Sequence, residues 1–163
     1  MRVRITPEAE LRTTAQQAFE DHRRRIARVL PDAELEHVGA TSVPGALTKG
    51  DVDVLVRVSP ERFEAAAQCL RRLYAVHQPH NWTPTLASFV DDEADGIPVG
   101  IQLVAAGSED DAMFGAFRDA LADDPALLAE YNDLKRRLDG EQYGPYTEIK
   151  GRFIERALRR LGS

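Results

Sequence analysis

Val52, Val54, Val56 and Val58 alternate along the chain with Asp51, Asp53, Leu55 and Arg57. Successive side chains of a strand point to opposite faces, so this period of two specifies a β-strand with one strongly apolar face that a folded chain must cover. It also sets Asp51 and Asp53 on the other face, with origins about 6.5 Å apart, close enough for both carboxylates to converge on one cation. The pattern admits a blander alternative, an edge strand whose acids face solvent and guard against pairing with another chain.

The segment before this strand, Gly39 Ala40 Thr41 Ser42 Val43 Pro44 Gly45, combines residues that suit neither helix nor ladder and reads as a shaped loop. Small residues such as Gly39 let the main chain approach a polyphosphate closely, while amides and the Thr41 and Ser42 hydroxyls can donate to its oxygens. Lys49 would bring a positive charge near those phosphates. Mg²⁺ prefers hard oxygens and commonly takes one or two carboxylates plus substrate phosphates, which makes Asp51 and Asp53 candidate metal ligands and candidate catalytic groups. Two such ions would activate an attacking hydroxyl and stabilise a leaving pyrophosphate. His37, just before the loop, would brace it through a hydrogen bond or serve as a core histidine.

Around this centre the chain reads as helix, sheet, then helices. Leu11, Ala15, Ala18, Phe19, His22, Ile26 and Val29 recur at helical spacing over 8–30, with Thr6 and Pro7 suited to the cap and first helical position. Residues 34–38 form a short strand. Ser59 and Pro60 open a helix that buries Phe63, Ala66, Ala67, Leu70, Leu73 and Tyr74. Two or three strands follow between residues 74 and 104, with residues 91–96 as a polar turn between strands at 86–90 and 99–104. Ser108 with Asp111 is a capping-box pattern, Asp124 with Pro125 starts another helix, and a last helix runs from about Tyr146 with Ile149, Phe153, Ala157 and Leu161 inward. The expectation is one α/β (α+β) domain over 1–163, a small mixed sheet (34–104) flanked by a first helix (8–30) and a helical C-terminal region (109–161).

Composition narrows the function. The 163 residues carry a net charge of −6, which argues against extensive nucleic-acid binding, since that relies on many Lys and Arg displacing counterions. His22, Arg23, Arg24, Arg25 and Arg28 form a local basic patch at a helix end, where cations favour the dipole. The opening residues contain no apolar run suited to a secretory signal or a membrane span, so a cytoplasmic location without membrane partners is expected. Cys69, the single cysteine, lies in a helical pattern as a structural thiol and excludes an internal disulfide. His77 and His80 flank Pro79 without a third ligand nearby, so no zinc site is expected there.

Glu36 His37 Val38 Gly39 Ala40 Thr41 Ser42 Val43 Pro44 Gly45, followed by Lys49 and Asp53, resembles the signature of GrpB-like proteins: an acidic residue, His, an aliphatic, then Gly, Ser, Thr, Ser, Val, Pro, Gly. The later groups Phe117 Arg118 Asp119, Tyr131 with Leu134 and Lys135, and Tyr146 Thr147 Glu148 with Lys150, Phe153 and Ile154 are similar too. That family is similar in turn to the nucleotidyltransferase superfamily. The resemblance implies a nucleotidyltransferase-like fold that binds a nucleoside triphosphate with Mg²⁺ (or Mn²⁺) and transfers a nucleotidyl group to an unknown acceptor hydroxyl. Arg118, Tyr146 and Lys150 would line the same cleft from the helical half; a surface ion pair or helix-end charge is the alternative for each.

Three residues depart from the pattern. Ala40 replaces a usual Ser and removes one phosphate donor. Asp51 stands where GrpB-like chains often have an aliphatic residue, which favours chemistry. Gln102 stands where active nucleotidyltransferases often place a third acid; it is a candidate auxiliary metal ligand through its amide oxygen but carries no charge. Gln102 motivates a rival reading, a catalytically degenerate binding or regulatory module. A nucleic-acid binder using the arginine-rich first helix is a third.

Overall fold

The computed structural model describes residues 2–91 and 96–162. In chain order its elements are β1 (Thr6–Pro7), α1 (Glu8–Val29), β2 (Glu34–Val38), β3 (Leu47–Thr48), β4 (Val52–Val58), α2 (Phe63–Leu73), β5 (Ala75–Val76), β6 (Leu86–Asp91), β7 (Val99–Ala105), α3 (Glu109–Asp123), α4 (Pro125–Arg137) and α5 (Tyr143–Leu161). Short 3₁₀ turns at Ala40–Ser42, Pro60–Arg62 and Pro79–Asn81 shape the connections. Of the turn expected at residues 91–96, positions 92–95 lie outside the described residues, and Asp91 ends β6.

Five strands form one mixed sheet in the order β2-β4-β7-β6-β5. The valine strand β4 is interior, antiparallel to β2 and parallel to β7. That position sets aside the edge-strand reading, because β4 has a ladder partner on each side; Asp53 lies within it, whereas Asp51, expected on the strand, immediately precedes it. Its four valines are buried on the face shared with Ala15 and Ile26 of α1, Phe63, Ala66 and Leu70 of α2, and Phe89, Ile101 and Leu103 of the neighbouring strands. Fully burying one such side chain contributes about 1.5–3 kcal/mol, so this layer dominates the stability of the sheet half. On the opposite face Leu55 packs with Val38, Val104 and Phe114 of α3. The apolar cover on that face is interrupted at Asp53 and Gln102, and the site lies there.

The helical half rests on its own contacts. Val43 and Ala46 of the loop join Leu121, Leu127, Tyr131 and Ala157 in one cluster, and Val3, Leu134, Leu138 and Tyr146 form another. The Ser108 side chain accepts the Asp111 N–H, and the Asp124 side chain accepts from Ala126 and Leu127, so both expected caps are present.

Several boundaries differ from expectation for local reasons. α1 begins at Glu8 as expected, but Thr6 and Pro7, expected as cap and first helical position, are extended and pair with Thr48 and Leu47 as a two-stranded ribbon, with Pro7 in the cap position. Ser59 and Pro60 introduce a 3₁₀ turn before α2. α5 starts at Tyr143 rather than Tyr146, because Pro145 in the first turn lacks only an N–H that has no helical acceptor there. Val29 and Leu161, expected inward, are 39% and 54% exposed at the ends of their helices. His22, placed by sequence in a basic patch, is buried, with Nδ1 2.8 Å from the Tyr74 hydroxyl.

Candidate functional site

The loop after β2 takes its shape from internal hydrogen bonds. Gly39 has φ +79°, in the region glycine favours, and the 3₁₀ turn Ala40–Ser42 follows. Thr41 Oγ1 donates to the Asp51 carbonyl at 3.1 Å and lies 2.9 Å from His37 Nε2. With its only proton so used, Thr41 accepts from a neutral His37 protonated at Nε2. Burial, reinforced by the Arg118 charge, pushes the His37 pKa down and favours that neutral form. His37 also stacks on Phe19 at 5.2 Å, so it does brace the loop. Ser42 Oγ donates to the Gly39 carbonyl at 2.5 Å. The Thr41 and Ser42 hydroxyls, expected to face phosphate, are thus committed inside the loop, and neither residue lines the cavity described next.

Both halves of the molecule hold the loop's far end. Glu8 of α1, buried and paired with Arg12, accepts the Gly45 N–H at 3.0 Å. From α4, Asn132 accepts the Leu47 N–H at 2.9 Å and donates to the Gly45 carbonyl at 3.0 Å, while Lys135 Nζ donates to the Leu47 carbonyl at 2.8 Å. Each bond satisfies a backbone group that the loop would otherwise bury unpaired.

Asp51 and Asp53 line one cavity of about 200 Å³ between the sheet and the helical half, together with Gly39, Lys49, Gln102, Arg118, Tyr131, Lys135, Tyr146 and Lys150. The Asp53 carboxylate sits between two glycines. A Cβ on Gly39 would lie 2.3 Å from Oδ2, and one on Gly100, its register partner on β7, would lie 2.9 Å from Oδ1. Only glycine at both positions leaves room for the acid. The Lys49 ammonium forms an ion pair with Asp51 Oδ2. Asp51 is 22% exposed, and that surface faces the cavity rather than open solvent.

The two acids titrate apart. Burial, then the negative charge of Asp51, raises Asp53 from 3.8 to about 6. Burial also opposes ionisation of Asp51, but Lys49 and Lys150 outweigh it and hold its carboxyl below the usual value. A pair of neighbouring carboxylates split in this way is a frequent mark of a functional site.

The helical half supplies the opposite charge. Burial lowers Lys150, yet Tyr146 and the two aspartates outweigh that and leave its pKa raised. Lys135 is 2% exposed; burial and the nearby Lys150 charge hold it well below the ordinary lysine value, and its ammonium lies 4.4 Å from the Tyr131 ring centroid. Tyr146 is fully buried, and its hydroxyl is a buried side-chain atom without a hydrogen-bond partner. Burial keeps that phenol protonated, and Tyr146 is among the residues that line the charged cavity. Arg118 reaches the cavity but is also bonded to Glu36 at 3.0 Å and Asp119 at 3.3 Å. Gln102 Oε1 accepts from Ser88 Oγ at 2.6 Å, so the oxygen expected to help hold a metal already has a protein partner.

The structure therefore brings together Asp51, Asp53, Gly39, Lys49, Gln102, Arg118, Tyr146 and Lys150, and leaves the Thr41 and Ser42 hydroxyls outside. Lys135, Tyr131 and Gly100 join unannounced. A lysine on the same helical stripe as Tyr131, Leu134 and Leu138 was the available signal for Lys135, and a glycine inside an apolar strand was the signal for Gly100. No group of three or more His, Cys, Asp or Glu suited to a metal exists among the described residues; the cavity lining contains two acids, Asp51 and Asp53.

Residues 9–160 match the family model described as GrpB protein. The chain belongs to the GrpB family. It is 36% identical over 150 residues to a UPF0157 protein of Vibrio cholerae, covering 91% of this chain and 78% of that one. A UPF0157 protein of Deinococcus radiodurans is 33% identical over 144 residues, with 87% and 74% covered. Among solved structures, GrpB from Enterococcus faecalis superposes with a TM-score of 0.75 at 19% identity over 98% of this chain and 99% of that one. The Cid1 poly(U) polymerase with MgGTP bound gives a TM-score of 0.56 at 14% identity, over 81% of this chain and 42% of that chain. This GrpB chain thus has a mixed α/β fold with distant structural similarity to nucleotidyltransferases.

Proposed function

We propose that the cavity binds a nucleoside triphosphate with Mg²⁺ and transfers its nucleotidyl group to an acceptor hydroxyl. One observation carries this reading: two carboxylates, Asp53 of β4 and Asp51 immediately before it, share a small cavity with three lysines and Tyr146. Carboxylates without cations would repel a phosphate chain, and lysines without carboxylates would not hold a divalent ion; together they suit a metal-bound polyphosphate. Two carboxylates are donors of the kind Mg²⁺ takes, so Asp51 and Asp53 would hold it, with phosphate oxygens as further donors. When bound, the ion would offset charge on the phosphates. At about 200 Å³ the space is below the roughly 300–1,000 Å³ that encloses a whole ligand, so it takes the reacting end and leaves the nucleoside towards the opening.

Lys49 would exchange Asp51 for a phosphate oxygen, while Lys150 and the Tyr146 hydroxyl would donate from the helical side. In the transfer step the acceptor oxygen forms a bond to the α-phosphorus. The bond from that phosphorus to pyrophosphate breaks, its electron pair leaves with pyrophosphate, and the hydroxyl proton passes to Asp53. The Ser88 bond to Gln102 favours a second reading, binding without transfer, because the position of a third acid is neutral and occupied.

Thermal unfolding with millimolar Mg²⁺ and each nucleoside triphosphate tests binding. At a hundred times Kd the ligand contributes about 2.7 kcal/mol, which raises Tm by about 5–10 °C in a chain of this size. Asp53→Asn should remove the rise, and an unchanged Tm with all four nucleotides sinks the proposal. Metal-dependent pyrophosphate release separates transfer from binding alone.

A further inference from the structure

The cavity has a second wall whose chemistry differs from the charged one. Met113, Phe114 and Phe117 of α3 and Ile154 of α5 line it, all half-buried. Phe114 and Phe117 also pack on core clusters, but Met113 and Ile154, which line the cavity, belong to none of the clusters among the described residues. The surroundings of this wall are acidic. α3 carries Glu109, Asp110, Asp111, Asp119 and Asp123, against a single base, Arg118, itself engaged by Glu36 and Asp119. A shallower groove that shares Arg118 with the cavity is lined by Glu36, Asp111 and Asp119, and its other arginine, Arg57, is held by Glu34, Glu36 and Asp111.

We infer that this wall is the acceptor subsite, and that the acceptor is a small molecule with a compact apolar body bearing a hydroxyl, not a nucleic-acid chain. The inference rests on the transfer reading above and names its second substrate. An apolar wall gains free energy by covering an apolar body, and a nucleic-acid strand leaving the cavity past α3 would meet an excess of acids, with the nearby arginines already paired, where it needs free Lys and Arg. The body lies on Met113, Phe114, Phe117 and Ile154, with its hydroxyl turned to Asp53. The products are then pyrophosphate and a nucleoside monophosphate ester of that alcohol.

Titration calorimetry on the full chain with Mg²⁺ tests this through product mimics. The probes are the four nucleoside 5′-monophosphates, their benzyl phosphodiesters, dinucleotides with uridine as the second nucleoside, and the triphosphates as a control for the underlying reading. For the preferred base the benzyl ester should bind at least about tenfold tighter than the plain monophosphate, as burial of an aromatic ring predicts, and the dinucleotide should show no such gain. Met113→Ser with Ile154→Ser should bring the ratio of ester to monophosphate close to one, whereas Met113→Leu should keep it. Tight triphosphate binding without a benzyl gain, or with a larger dinucleotide gain, overturns the acceptor assignment and leaves nucleotide binding standing. Failure of every nucleotide to bind overturns both.

Discussion

Asp53 is held at a disadvantage in the empty protein, and this can be measured. Its folded pKa of about 6 lies above the unfolded value of 3.8. Measured against its protonated form, the group costs nothing below pH 3.8, and its ionisation lowers folding stability as pH rises between the two values, by roughly 3 kcal/mol in all above pH 6. Asp53→Asn should raise the stability of the unliganded protein at pH 7.5 by up to that amount and do nothing near pH 3.5; urea titrations across this range give the difference. A variant no more stable at pH 7.5 than at pH 3.5, relative to wild type, would contradict the described burial. Tyr146 behaves alike for a different reason. Removing an unpaired buried hydroxyl relieves a desolvation penalty of about 1–3 kcal/mol, so Tyr146→Phe should leave the empty protein as stable or more so while weakening nucleotide binding by about tenfold. A destabilised Phe variant with intact binding would show that the hydroxyl serves the fold instead.

Elements were legible where local chemistry decides them. The alternation in β4, the Ser108 and Asp124 caps and the glycine-rich bend all follow from neighbours in sequence, and all are present. Asp124→Ala removes the acceptor for two N–H groups at the start of α4 and should lower stability by about 1 kcal/mol in a thermal melt, without loss of the fold. What local pattern does not carry is who sits opposite. Gly100 matters only because the parallel register of β7 sets it beside Asp53. Thr41 and Ser42 have the right groups for phosphate, but a hydroxyl in a tight bend finds nearer acceptors in its own backbone. The stripe of Tyr131, Leu134 and Leu138 marks Lys135 as inward, but not that it meets the loop at the Leu47 carbonyl.

At the scale of the molecule, the bend is a clasp between the sheet half, through Glu8, and the helical half, through Asn132 and Lys135. Asn132→Ala leaves the Leu47 N–H and the Gly45 carbonyl without those partners and should destabilise by about 2–4 kcal/mol in urea, with nucleotide affinity falling alongside. Unchanged affinity in a folded variant would mean that the bend keeps its shape without the helical half. No described helix is long and apolar enough to cross a membrane, and the charge of the chain is carried outside this clasp as well as within it. The clasp also dictates an order of events at the ribosome. Leu47 leaves the exit tunnel 85 residues ahead of the asparagine that fixes it, so a nascent chain presents its acids long before the pocket around them exists. Under the proposed function, the site would be complete only once synthesis has passed α4 and delivered Lys150.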